Sequence, residues 1–144
     1  MSNLQAFMTP NTEETREVII SDRFKDKDGK VVPFVIKSLS QAENEEIKKR
    51  TSIPIVKNGV VIGDKLDSEK YGRELVLASV TTPNFRDSEL CKFYATMDPL
   101  EVPSKMLRVG EYTRLVKAIN DLNGINDDFG VLEEEAKNSQ MKDP

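Results

Sequence analysis

Residues 112–124, YTRLVKAINDLNG, decide the helical half of the fold. Tyr112, Leu115, Val116, Ile119 and Leu122 recur at the i, i+3, i+4, i+7, i+10 spacing of one helix face, which predicts an amphipathic helix buried along that side. Asn123-Gly124 ends it, because glycine enters the left-handed conformation of a helix C-cap without a Cβ clash. The N-terminal part has a different period. Val18-Ile19-Ile20 and Val31 to Ile36 are β-rich runs on either side of Lys25 to Lys30, and Asp28-Gly29 within that connection favours a tight turn, so a β-hairpin is expected. Pro33 has no N–H to give a ladder, which predicts an edge strand or a bulge at that point. The two periods together define an α+β fold, with one or two N-terminal β-hairpins packed with a C-terminal helical subdomain.

Local signals fill the space between. Ser40 followed by Glu43 forms a capping box in front of Gln41 to Arg50, a polar and largely exposed helix. Ile53-Pro54-Ile55-Val56 and Val60-Val61-Ile62 flank Lys57-Asn58-Gly59, which reads as either a second short hairpin or an ordered apolar loop. Asp67 or Ser68 caps a helix whose buried face would hold Tyr71, Leu75, Ala78 and Val80, ending before Thr82-Pro83. Asp87 caps a short helix with Leu90, Cys91, Tyr94 and Met97 on helical spacing, and Cys91 is expected as a small buried hydrophobe. Asp98-Pro99 breaks the chain before a short helix or turn over Leu100 to Leu107. Asn126 is placed to cap a final helix with Phe129, Leu132 and Ala136 on one side and Glu133, Glu134 and Glu135 turned outward. The expected organisation is a flexible arm over 1–14, a single domain over 15–138 and a flexible tail over 139–144.

Composition narrows the chemistry. The 144 residues carry a formal net charge of −4, and residues 127–144, with six acids and two lysines, hold all of it. An acidic chain without a basic stripe disfavours nucleic acid and anionic membrane as partners; Arg108, Arg114 and Lys117 near Tyr112 are intermixed with acids. With no His and Cys91 as the single cysteine, the chain lacks the parts for a Cys/His zinc site, a Ser-His-Asp triad or an internal disulfide. A calcium loop with Gly29 at its sixth position would begin at Phe24, which cannot ligate the ion. Gly-rich phosphate loops and nucleophile elbows are missing, and the clustered carboxylates lie on the terminal helix rather than in a cleft. Binding is therefore expected rather than catalysis, with neither metal nor cofactor. The five Met residues, Met97, Met106 and Met141 among them, offer adaptable apolar contact, although core packing is the favoured role for Met97 and Met106, and Met141 suits a disordered tail. The start of the chain has no signal-peptide pattern and its apolar runs are short, so a cytoplasmic protein is expected.

From Ala78 to Lys137 the chain resembles the XkdN-like tail assembly chaperones of phages and defective prophages. The resemblance is carried by Ala78-Ser79-Val80 leading to Pro83, Phe85 to Leu90, Lys105-Met106-Leu107, Gly110 to Leu115, Leu122-Asn123-Gly124 and the acidic stretch from Asp127. It implies a non-enzymatic morphogenesis factor of the bacterial host cytoplasm that binds the tape-measure protein and keeps it soluble until the tail tube polymerises. The tail tube protein and a second copy of the chain are further candidate partners. Phe93, Tyr94, Met97, Met106 and Leu107, beside the C-terminal helices, are the candidate client contacts, with core packing the favoured role of the same positions. The alternative function is a structural tail completion or connector protein retained in the particle. A small prophage regulator is disfavoured by the absence of a basic recognition helix.

Overall fold

The computed structural model describes residues 3–8 and 14–125. Its elements run α1 (Leu4–Phe7), β1 (Thr15–Val18), β2 (Phe34–Lys37), α2 (Gln41–Arg50), β3 (Ser52–Lys57), β4 (Val60–Leu66), α3 (Ser68–Ser79), β5 (Val80–Thr82), α4 (Ser88–Phe93), a 3-10 turn (Pro99–Glu101), α5 (Val102–Met106) and α6 (Val109–Asn123). Strands precede most of the helices, giving an α+β architecture. Within the segment read as an arm, residues 4–7 form one helical turn. The expected final helix from Asn126, with Phe129, Leu132, Ala136 and its three glutamates, and the tail with Met141 lie outside the described residues.

The first hairpin is present, with its strands displaced from the apolar runs. β1 pairs antiparallel with β2, Val18 opposite Phe34 and Thr15 opposite Lys37. Ile20 leaves the ladder because its carbonyl accepts a bond from Arg114 Nε of α6 at 2.8 Å, and its side chain, 3% exposed, joins the core. The hairpin tip closes separately: Lys25 bridges Val31, the Asp26 carboxylate accepts from the N–H groups of Asp28 and Lys30, and Gly29 has φ +80°. Pro33 lies just outside the ladder, where its missing N–H costs nothing. The strand after it is neither an edge nor bulged at the proline. β2 is the centre of a three-stranded sheet, order β1-β2-β5, with its irregularity against β5 at Val35/Ile36.

β5 corrects the reading of α3. Val80, expected on the helix's apolar face, starts a strand opposite Ile36, as suits the β-branched run Val80-Thr81-Thr82. The inner face of α3 is Val76, Leu77 and Ser79, while Tyr71, Leu75 and Ala78 are half-buried. This turns the helix by about 100°, one residue's rotation. Its neighbours explain the turn, because α3 also meets α2, where Tyr71 donates to Asn44 and Arg50 pairs with Glu74 at 3.1 Å.

The caps form as expected. Ser40 and Glu43 make a reciprocal capping box, Asp67 accepts from Lys70 N–H, and Asp87 accepts from the N–H groups of Glu89 and Leu90. α2 buries Ile47 alone. α4 ends at Phe93 and the chain turns through Ala95 at φ +54°, so Met97 lies beyond the helix on which it was placed. On α6, Leu115 and Ile119 are fully buried, Tyr112, Val116 and Leu122 pack at the margin, and Gly124 is the left-handed cap at φ +70°. The core joins both ends of the chain: Ile20, Phe34 and Ile36 lie with Phe85, Val102, Leu115 and Ile119, and Phe34 stands between the rings of Phe24 and Phe85.

Candidate partner-binding surface

The most perturbed carboxylate among the described residues is structural. Glu111, in the first turn of α6, is 3% exposed, and Arg23 meets it with both Nε (2.8 Å) and Nη2 (2.6 Å). Arg23 Nη2 also donates to Met106 O at 3.1 Å, and Glu111 Oε1 accepts the Arg108 N–H at 2.8 Å. The Arg23 hydrogen bonds hold the Glu111 carboxyl far below the usual range, outweighing burial, which acts in the opposite direction. Every oxygen of this buried group is thus occupied by folding, with Arg23 clamping the first hairpin to α5 and α6. Arg114 is likewise engaged, on Ile20 O. No group of three or more potential metal ligands converges among the described residues, and no helix there is long and apolar enough to cross a membrane.

The five candidate contacts divide. Met106 and Leu107 are each 9% exposed and belong to the core cluster, where they pack α5 against the rest. Phe93 is 78% exposed and Met97 fully so. Tyr94, half-buried, stacks edge-on with Phe93 at 4.9 Å and anchors that ring to the body. Around them the backbone is fixed: Lys105 Nζ donates to Ala95 O, Thr96 Oγ1 donates to Glu101 at 2.8 Å, and Asp98 caps the 3-10 turn. A shallow groove lined by Pro83, Asn84, Asp87, Glu89, Leu90 and Phe93 runs beside the patch. Two large apolar side chains, one at the end of α4 and one on the ordered loop after it, next to a groove, can receive an apolar stripe from another chain.

A second apolar surface carries no candidate residue. β3 and β4 form a two-stranded ribbon whose extensive contacts are all between its own strands. Its tip is the expected Asn58-Gly59 turn, with φ +53° and +78°, which settles the earlier alternative in favour of a hairpin. Ile53, Ile55, Val56, Val60, Val61 and Ile62 are all 40–62% exposed. The sequence offers the hairpin as one of two readings, and apolar strand residues ordinarily mean a covered face. Only the structure shows that nothing in the described chain covers this one.

What the fold and its surfaces define is a small α+β protein whose distinctive features are exposed apolar contacts on an ordered frame. The phage XkdN-like tail assembly chaperone family matches residues 4–137. The chain is 39% identical to the phage-like element PBSX protein XkdN of Bacillus subtilis strain 168, over 94% of each protein. It is 37% identical to the uncharacterized protein YqbN of the same strain, over 94% of this chain and 93% of the relative. A crystal structure of YqbN superposes with a TM-score of 0.67 at 32% identity, covering 83% of this chain and 94% of that one. The chain belongs to the phage XkdN-like tail assembly chaperone family.

Proposed function

We propose that this protein is a non-enzymatic chaperone that binds the phage tape-measure protein in the bacterial host cytoplasm and keeps it soluble until the tail tube polymerises around it. Membership of the tail assembly chaperone family across residues 4–137 carries this reading. The exposed Phe93 and Met97, with Tyr94 against the Phe93 ring, supply a physical means. A long helical client exposes apolar stripes that self-associate, and adaptable aromatic and thioether contacts can shield them while remaining exchangeable. Met106 and Leu107 belong to the core against which Tyr94 packs.

Co-expression with the tape-measure protein encoded in the same gene cluster tests the reading. The expected result is a soluble client that co-purifies with the chaperone, and mature particles that lack the chaperone by mass spectrometry. An insoluble, unbound client together with stoichiometric protein in the particle would instead identify a structural tail component.

A further inference from the structure

The two faces of the β3–β4 ribbon are chemically different. Residues directly opposite each other in an antiparallel pair share a face. The register pairs Ile53 with Lys65 and Ile55 with Gly63 on one side, and beyond an irregularity at Ile55/Val56 that leaves Ile62 unpaired it pairs Lys57 with Val60 on that side. On the other it pairs Ser52 with Leu66, Pro54 with Asp64 and Val56 with Val61. The first face therefore joins three β-branched side chains to two lysines, with no carboxylate. Gly63 leaves a dent opposite Ile55: a Cβ built there meets nothing within 4 Å.

We propose, on the chaperone reading above, that this lysine face is a docking platform for a helical segment of the client whose apolar stripe is bordered by acidic side chains. Charge complementarity selects the partner, since Lys57 and Lys65 at the two ends of the face favour carboxylates beside the stripe. Size selects the mode. A seven-residue strand is about 23 Å long, which matches about 15 residues of helix, or four turns. A ribbon roughly 10 Å wide then offers about 230 Å² per face, against about 800 Å² per partner in a stable complex. Such a platform is too small for a lasting one-to-one dimer. It suits weak contacts repeated along a long client, where several chaperones hold together what one would release.

The test is co-expression of the full chain with the tape-measure protein, comparing variants on the two ribbon faces. Lys57→Glu with Lys65→Glu is expected to reduce recovered client about tenfold, the scale of a lost interface anchor. Gly63→Val, which fills the dent without a backbone penalty, is expected to lower recovery as well. Val56→Ser with Val61→Ser, on the opposite face, should leave recovery unchanged, and circular dichroism should show all three variants folded. If the lysine-face variants recover client like the wild type, while the wild type solubilises it, the platform is wrong and the chaperone function stands. If the wild type recovers no client, both fall. If the purified wild type sediments as a dimer and the lysine-face variants as monomers, the occupant is a second copy and the proposal is overturned.

Discussion

The α6 end of the molecule and the β3–β4 ribbon put β-branched and aliphatic side chains to opposite uses. Around α6, Leu115 and Ile119 are buried where the helix meets β1 and β2, strands from the other end of the sequence. In the ribbon, six similar side chains stand 40–62% exposed on strands that pair only with each other. The first arrangement gains stability by removing apolar area from water. The second forgoes that gain, and an isolated two-stranded ribbon is marginal in water by itself. Buried and exposed apolar side chains are thus divided between regions.

The comparison breaks most readily at α6. Leu115→Ala should cost about 3 kcal/mol, as deletions at fully buried leucines do, and lower the melting temperature by on the order of 10 °C in a thermal melt. Acid should act on the same region. The folded-state pKa of Glu111 is depressed, so its stabilisation is complete above the unfolded value of about 4.3 and is lost as pH falls through the lower folded value. Urea midpoints measured from pH 7 downward should hold until about pH 4.5 and then drop, and Glu111→Gln should flatten the part of that drop due to this group. Gly124→Ala, which forces a Cβ into φ +70°, should cost about 1 kcal/mol by the same melts. At the ribbon, Val61→Thr exchanges one β-branched side chain for another at an exposed site and should change stability by less than about 0.5 kcal/mol. A ribbon substitution as costly as Leu115→Ala would show that the ribbon is covered in solution.

What was legible in the sequence follows the same division. The Ser40–Glu43 box, the caps at Asp67 and Asp87, the Asn58-Gly59 turn and the face of α6 are interactions within a few residues, and each formed as its local chemistry dictates. Long-range choices were not readable. Val80 has neighbours suited to either a helix or a strand, and the partner that decides, Ile36, is far away in sequence. The Arg23–Glu111 clamp spans 88 residues, and neither residue is conspicuous among the chain's other charges. Of the candidate contacts, helical spacing grouped Tyr94 with Met97 but could not show that the helix stops at Phe93; the favoured core-packing role holds for Met106 and Leu107, whereas Met97 stands in solvent.

The clamps between the two ends also set an order in time. Arg23 to Glu111, Ile20 to Arg114 and Leu39 to Asn123 join residues 84 to 94 positions apart. At roughly 5–20 residues per second of synthesis, the first hairpin waits on the order of 4 to 19 s for its partners on α6 to be made. The ribbon, by contrast, closes on contacts available as soon as it emerges, in microseconds. A nascent chain therefore holds every strand partner the ribbon needs well before it owns a finished core, and a ribosome that stalls before residue 111 leaves Arg23 without the Glu111 carboxylate.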